Sequence, residues 1–324
     1  MSTFISIHSS FVDKITKKKD LSFYATENCR LSTIYWTIAC YKILNIKDRS
    51  KKEYLEFVMK CRNKDGGFGA SIGYPSTILS TFNALQILFL YENYFYDEDL
   101  IRYITEMIGE GVFRNDIYGE EDTRFICCGI LSLHLIFISK NIIKNENENT
   151  GLITPYNNNK FRDFLLEIGV NVKKIVSNIL ECYNEDGGFG AIPNAESHAA
   201  QVFTCLSTLR SLNLLDVIDK DRTIRFLVMR QCNSGGLNGR PNKKEDVCYS
   251  FWAFSSLRIL EGDNLIDKNK LLDFILSCRK NSEGGFSDRP GNEPDLFHTL
   301  YSLAALAWLN PSLGLTEIDG GFGI

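Results

Sequence analysis

A Gly-Gly turn motif recurs along this chain at a nearly constant interval and limits what it can fold into. Residues 65–70 read Asp-Gly-Gly-Phe-Gly-Ala, and the same six residues recur at 186–191. Less similar copies lie at 234–237 and 283–286, and a degenerate copy lies at 109–113. Successive motifs are 45 to 49 residues apart, except for one gap of 76 residues. Such a period predicts stacked supersecondary units, because one unit alone cannot bury its apolar face.

Each interval holds two helical patterns: an apolar helix with little polar face, then an amphipathic helix. Two helices per repeat predict an all-α fold with an inner apolar layer and an outer amphipathic layer. About six such pairs would close into an α/α toroid, and an open solenoid is the alternative. All inner helices would then begin at one end of the ring. The predicted inner helices are 31–44, 77–91, 122–139, 197–215, 246–260 and 295–309, and predicted outer helices include 51–61, 99–107, 222–231 and 268–278.

We expect residues 1–324 to form a single domain, with a low-complexity loop inserted at about 140–160. This insert explains the long gap, and its Asn- and Glu-rich composition cannot bury a face, which predicts a mobile surface loop. A final copy of the turn motif at 319–323 has no helix after it, and its role is unexplained.

Charge and composition narrow the function classes. The chain has 324 residues and a net charge of −4, so no basic field points to nucleic acid. Residues 1–10 do not resemble a secretory signal, and the longest apolar run, 125–139, contains His134 and is too short to span a bilayer. These features predict a cytoplasmic protein without a transmembrane segment.

The ten cysteines are expected to be reduced, because a chain of this size needs no disulfide staples. Four of them precede Gly-Gly pairs by three to six residues and are interpreted as one repeated buried packing position: Cys61, Cys182, Cys232 and Cys278.

The candidate metal ligands lie at the starts of the predicted inner helices. Asp246 and Cys248 open one predicted inner helix, and His298 opens the next. Neighbouring helices would bring these O, S and N ligands together, a set suited to zinc with a fourth position left open. Taken singly, each has a plainer interpretation, since a short Asp-x-Cys match carries a high false-positive risk and His298 alone would cap a helix.

Several hydrogen-bond donors stand at the same end. They can bind phosphate oxygens or, singly, be solvated loop charges: His198, Arg240, Lys243, Tyr249 and Arg124. Aromatic residues such as Trp36 and Trp252 would line the ring interior, or form ordinary core.

In these stretches the chain resembles the β subunits of protein prenyltransferases, and most closely those of the Rab geranylgeranyltransferase class. The resemblance runs from about Leu31 to Leu309 without the insert. The motifs that carry it include Asp-Val-Cys-Tyr-Ser at 246–250, Phe-His-Thr-Leu at 297–300, Glu-Ser-His-Ala at 196–199 and Asp-Thr-Arg-Phe at 122–125.

The resemblance implies a toroid with one zinc ion held by Asp246, Cys248 and His298. It implies transfer of geranylgeranyl from geranylgeranyl diphosphate to C-terminal cysteines of Rab GTPases, through a zinc-activated thiolate. The partners would be a prenyltransferase α subunit, which completes a heterodimer, and a Rab escort protein. His198, Arg240, Lys243 and Tyr249 would bind the diphosphate, with Arg124 nearby; Asp288 matches a position linked to Mg²⁺ in some members.

The isoprenoid pocket would include Trp36, Trp252 and three positions that set its length. Ser32 stands where farnesyl-specific relatives carry a bulky aromatic, which favours geranylgeranyl. Phe82 would shorten the pocket and Cys127 would open it, so we interpret the two as a compensating swap. The alternatives are a farnesyltransferase or type I geranylgeranyltransferase β subunit, or a non-catalytic helical-repeat scaffold.

Overall fold

The computed structural model describes residues 3–109, 111–147 and 158–318, in which the chain forms α-helices and short 3₁₀ segments but no extended strand. The helices are α1 (Thr3–Lys17), α2 (Leu21–Ala25), α3 (Arg30–Ile43), α4 (Lys51–Lys60), α5 (Ile78–Leu90), α6 (Glu98–Glu106), α7 (Thr123–Asn147), α8 (Asn158–Glu167), α9 (Val172–Glu181), α10 (Ala199–Ser211), α11 (Lys220–Val228), α12 (Tyr249–Ile259), α13 (Lys268–Ser277) and α14 (Leu296–Leu309).

The six apolar helices form a closed inner ring, which confirms the toroid and excludes the open solenoid. α3, α5, α7, α10, α12 and α14 pack against one another in that order, and α14 packs back against α3. The amphipathic helices α1, α4, α6, α9, α11 and α13 belong to the outer layer. Because the inner helices contact neighbours on several sides, they are apolar around most of their circumference.

The outer helix that closes the ring, α1, is missing from the sequence prediction. Gly284 has a positive φ of 80°, and a Cβ there would collide with the carbonyl oxygen of Ile7 on α1. His8 accepts a hydrogen bond at Nδ1 from the Gly285 N–H at 2.9 Å, and its ring stacks on Phe286 at 4.8 Å. Helix α1 therefore packs on the 283–286 turn motif as the other outer helices pack on theirs.

Equivalent backbone hydrogen bonds join successive repeats around one rim, which we call the mouth. Near the start of five of the six inner helices, all except α14, a backbone N–H donates to a carbonyl in the loop that follows the next turn motif. The pairs are Leu31 to Ala70 (3.0 Å), Ile78 to Asn115 (2.8 Å), Thr123 to Ala191 (2.9 Å), Ala199 to Gly239 (2.8 Å) and Val247 to Asp288 (2.9 Å). The inner helices therefore begin at one end of the ring, as predicted.

The boundaries of the predicted insert are wrong. Helix α7 continues to Asn147 and α8 begins at Asn158, so residues 140–147 and 158–160 are helical rather than loop. Residues 148–157 lie outside the described residues, as do residues 319–324 with the final turn motif.

The assignment of Cys232 to the repeated buried position is also wrong. The carbonyls of Cys61 and Cys182 accept from the N–H of Gly69 and Gly190, each at 2.9 Å, and the carbonyl of Arg230 accepts from Asn238 in the same way. Arg230 therefore occupies the cysteine position in its repeat. It is tolerated there because its guanidinium stacks on the Phe226 ring at 4.8 Å, and its Nε donates to the Phe226 carbonyl at 3.1 Å.

Within the described residues, residues 123–144 of α7 are long and apolar enough to cross a bilayer by length and composition. This helix is longer than the apolar run suggested. It packs between α5 and α10, and 72% of its most apolar window is buried inside the protein. It is one of the six inner helices of the toroid.

Candidate metal centre and anion site

Asp246, Cys248 and His298 come together at the mouth. Their ligand atoms all lie within 4.8 Å of one another, and Asp246 Oδ1 is 3.5 Å from His298 Nε2. Asp246 and Cys248 precede α12, and His298 lies in the first turn of α14, the neighbouring inner helix. The arrangement is the one the sequence predicts.

The repeat itself sets these positions. Asp246 lies nine residues after the buried Leu237, and Asp295 lies nine residues after the buried Phe286. Each donates its backbone N–H to the carbonyl of that earlier residue, at 3.1 and 3.2 Å. His198 stands in the same relation to Phe189, at 2.9 Å. In these three repeats the turn therefore places one polar side chain at an equivalent position of the mouth.

Asp295 orients His298, a role that sequence reasoning did not assign. Its Oδ2 lies 2.6 Å from His298 Nδ1, and its Oδ1 accepts from the His298 backbone N–H at 2.9 Å. Nε2 is left to face Asp246. A carboxylate on the far nitrogen is the usual partner of a metal-binding histidine. The signal in the sequence was that Asp295 occupies the same repeat position as Asp246.

The charges of the three residues are strongly coupled. Burial raises the pKa of the Cys248 thiol well above its usual value, and the Asp246 carboxylate raises it further. Burial opposes the charge on His298, but Asp246 and Asp295 together outweigh it and raise its pKa to about 9. Burial also raises the pKa of Asp246, but hydrogen bonds from His298 and Cys248 lower it overall. A cation here would stabilise a Cys248 thiolate that burial otherwise disfavours, so this donor set fits zinc.

His198 and Tyr249 form a pair of donors beside this centre. His198 Nδ1 accepts from the Ala200 N–H at 3.2 Å, so the ring proton of the neutral imidazole lies on Nε2, 3.2 Å from the Tyr249 hydroxyl. Burial, and then Arg240, lower the pKa of His198, which keeps it neutral. Gly239 makes room for the pair, because a Cβ there would lie 2.5 Å from the Tyr249 oxygen and 2.8 Å from His198 Nε2.

The three predicted cationic side chains do not all lie beside the His198–Tyr249 pair. Arg240 is part-exposed and pairs with Glu196, two residues before His198, so it lies beside the donor pair. Lys243 is exposed in the same loop. Arg124 begins the neighbouring helix α7, where its Nε donates to Asp122 at 2.7 Å. The structure therefore groups His198, Tyr249 and Arg240, and leaves Arg124 engaged elsewhere.

An aromatic chain extends from the donor pair across the ring. Tyr249 contacts Trp252 at 5.7 Å between ring centroids, Trp252 contacts Phe297 at 5.7 Å, and Phe297 contacts Trp36 at 5.3 Å. Tyr301 packs on Trp252 at 5.1 Å. The five rings belong to α12, α14 and α3, and sequence reasoning did not assign Phe297 and Tyr301 to this site.

The three positions predicted to set pocket length lie on consecutive inner helices. Ser32 on α3 accepts a hydrogen bond from Asn83 Nδ2 of α5 at 2.7 Å, a partner the sequence did not indicate. Phe82 on α5 and Cys127 on α7 are both buried, and burial raises the pKa of the Cys127 thiol to about 12. Cys127 is therefore a neutral, small side chain.

Asp288, the position that the resemblance links to Mg²⁺, has both carboxylate oxygens engaged by neighbouring side chains. Its Oδ2 pairs with Arg289 at 2.7 Å, and its Oδ1 accepts from Asn292 Nδ2 at 2.8 Å.

Comparison with known proteins gives one consistent result. Residues 5–324 match the family model described as the prenyltransferase alpha-alpha toroid domain. The geranylgeranyl transferase type-2 subunit beta of Saccharomyces cerevisiae is 36% identical over 312 residues, covering 93% of this chain and 87% of the relative. The same subunit of Candida albicans is 35% identical over 246 residues, covering 70% and 64%. The solved structure of Candida albicans protein geranylgeranyltransferase-I complexed with GGPP has a similar fold, with a TM-score of 0.79, 20% identity and coverage of 99% and 96%.

Proposed function

The chain belongs to the prenyltransferase α–α toroid family, and we propose that it is the catalytic β subunit of a protein geranylgeranyltransferase that acts on Rab GTPases. It would transfer geranylgeranyl from geranylgeranyl diphosphate to C-terminal cysteines of its substrate and form a thioether. The observation that carries the proposal is the cluster of Asp246, Cys248 and His298 beside the His198–Tyr249 donor pair. The 36% identity to a type-2 β subunit favours the Rab class over type I.

Asp246, Cys248 and His298 would hold a zinc ion, with Asp295 fixing the orientation of His298. When bound, zinc supplies a positive charge that keeps the thiol of a substrate cysteine deprotonated at neutral pH. The three protein ligands leave one position free for that cysteine.

The diphosphate would bind at the adjacent donors. His198 Nε2–H and the Tyr249 hydroxyl donate to phosphate oxygens, and Arg240 and Lys243 add positive charge from one loop. His198 and Tyr249 are already held together by their hydrogen bond, so this pair lies in place to stabilise the charge that develops on the departing diphosphate. Arg124 would join them only if it exchanged its pairing with Asp122.

The isoprenoid would lie against Trp36, Trp252 and Phe297, with burial contributing about 0.8 kcal/mol per CH₂ group. Ser32, Phe82 and Cys127 would set the length of the isoprenoid that fits. The bulk of Phe82 would shorten the pocket, and the small side chain of Cys127 would open it. Phe82 is also the observation that favours the second candidate, a farnesyltransferase. Competition between the two diphosphates separates them: a clear preference for farnesyl diphosphate would defeat the geranylgeranyl assignment.

The proposed enzyme works in the cytoplasm as a heterodimer with a prenyltransferase α subunit, and receives Rab substrates through a Rab escort protein. The test is transfer of labelled geranylgeranyl to a Rab C-terminus by the complex with its α subunit. Absence of transfer together with absence of bound zinc in folded protein would instead favour the helical-repeat scaffold.

A further inference from the structure

Each turn motif packs in a slot between the end of one outer helix and the start of the next. In the first motif, a Cβ on Gly66 would lie 2.4 Å from the Asp99 carbonyl oxygen, and a Cβ on Gly67 would lie 2.6 Å from the Tyr103 ring. Both partners belong to α6, the next outer helix. Two glycines are therefore needed for the turn to come this close to that helix.

The same register recurs around the ring. In four slots the first glycine meets the backbone of an outer helix, and the second glycine meets the ring four residues further along that helix. The pairs are Asp99 and Tyr103, Arg222 and Phe226, Lys270 and Phe274, and Ile7 and Phe11. All four rings are buried. A buried ring at this position therefore marks a slot that a Gly-Gly turn fills.

The sixth slot, between α1 and α4, has the same register but no turn motif from the segment that follows α1. Residues 18–30 contain no glycine. Glu53 is the third residue of α4, as Arg222 and Lys270 are the third residues of α11 and α13, and Phe57 lies four residues after it. Phe57 is therefore the equivalent of the four buried rings, yet it is only half-buried.

A cavity of about 980 Å³ lies at this sixth slot. Glu53 and Phe57 line it from α4, and Ile15 lines it from the end of α1. Ile15 follows Ile7 by eight residues, as Cys61 follows Glu53, so it matches the repeated cysteine position. It is half-buried, whereas Cys61 is buried. The cavity thus coincides with the position at which a turn motif packs in the other slots.

The chain carries one further copy of the motif, Asp-Gly-Gly-Phe-Gly at 319–323. The segment before it leads to this cavity. The Thr316 N–H donates to the Ile43 carbonyl at the end of α3, at 2.8 Å, and Ile46, three residues after Ile43, lines the cavity. The six residues from Thr316 to Phe322 can span about 20 Å, which is enough to enter it.

We propose that the 319–323 copy docks in the sixth slot, with its two glycines against Glu53 and Phe57 and the Phe322 side chain in the cavity. Lys19 and Lys47 line the same cavity and complement the carboxylate of Asp319. Docking would cover Phe57 and Ile15 and join the end of the chain to α1 and α4. The inference is independent of the proposed activity.

The test labels a thiol placed in the slot of the full-length chain. Ile15→Cys introduces the residue that the repeat carries at this position elsewhere. Burial raises the pKa of Cys61 and Cys278 to about 12, so a thiol beneath a docked turn should react slowly. Mass spectrometry measures the rate of iodoacetamide labelling at residue 15. Adding Gly321→Val, whose side chain would collide with the Phe57 ring, should raise this rate at least tenfold, and Phe322→Asp should do the same.

Gly323→Ser is the matched control, because the equivalent position is Asn238 in the fourth motif and Ser287 in the fifth. It should label as slowly as Ile15→Cys alone. Equal rates in Gly321→Val, Phe322→Asp and this control would overturn the inference. Fast labelling in all of them would mean that the slot stays open, and slow labelling that something other than this copy covers it. Thermal melting checks that each variant is folded.

Discussion

Asp295 holds His298 at two points, through Oδ1 to the backbone N–H at 2.9 Å and through Oδ2 to Nδ1 at 2.6 Å. One residue thus caps helix α14 and fixes the imidazole that faces Asp246. The cap and the orientation of the candidate metal ligand come from one carboxylate, and Asp295→Asn separates them because Asn also caps helices well.

Asp295→Asn should weaken zinc binding by about ten- to a hundredfold, because an outer partner of a metal-bound histidine tunes ligand basicity and orientation. Competition with a chelating dye measures the zinc Kd. Asp267→Asn is the matched control, since Asp267 caps outer helix α13 through Lys270 at 3.0 Å and lies outside the centre. Equal zinc affinity in Asp295→Asn and the unaltered protein would contradict the positioning role.

Cys248→Ala and His298→Ala should each reduce the metal content from about one zinc per chain to a small fraction. Each removes one of three ligands, and the remaining pair cannot replace it. Metal analysis of purified protein measures this. Cys29→Ala, at an exposed free cysteine, should keep its zinc. Full zinc occupancy in Cys248→Ala would rule out the proposed ligand set.

Gly239→Ala should weaken binding of geranylgeranyl diphosphate by tenfold or more, about 1.4 kcal/mol. The added methyl would lie 2.5 Å from the Tyr249 oxygen and 2.8 Å from His198 Nε2, so the two donors must separate. Gly109→Ala is the control, because its nearest contact would be an ordinary 3.8 Å. A fluorescent analogue measures the Kd, and unchanged binding would remove the donor pair from the diphosphate site.

His8 should make folding stability depend on acidity. Burial lowers its pKa from 6.5 to about 3, so between these values the unfolded chain takes up a proton that the folded chain refuses. Stability is then present above pH 6.5 and is lost as pH falls toward 3, at up to about 1.4 kcal/mol per pH unit.

His8→Asn keeps an acceptor for the Gly285 N–H and removes this titration. Its urea midpoint should fall less between pH 6.5 and 4.5 than that of the unaltered protein. His134, whose pKa burial also lowers to about 3, still titrates in both proteins, so some dependence persists. Identical pH profiles would show that His8 is not the source.

The sequence predicts the ring and the metal centre because both follow from one repeated turn. Asp246 and Asp295 lie nine residues after Leu237 and Phe286, and this shared spacing places His298 on the helix next to the one that Asp246 precedes. The sequence prediction fails where a helix of the repeat comes from a distant part of the chain, or where the residue spacing within a repeat changes. Helix α1 carries no Gly-Gly motif, and Arg230 replaces a cysteine only because the Phe226 ring lies beneath it.

The closure of the ring by α1 has a consequence for biosynthesis. The hydrogen bond from Gly285 to His8 joins residues 277 positions apart, so α1 is made long before its partner. At about 5–20 residues per second, its apolar face waits for tens of seconds while the other repeats emerge. Until the 283–286 turn motif is synthesised, the ring of a nascent chain stays open and the apolar face of α1 can associate with other chains.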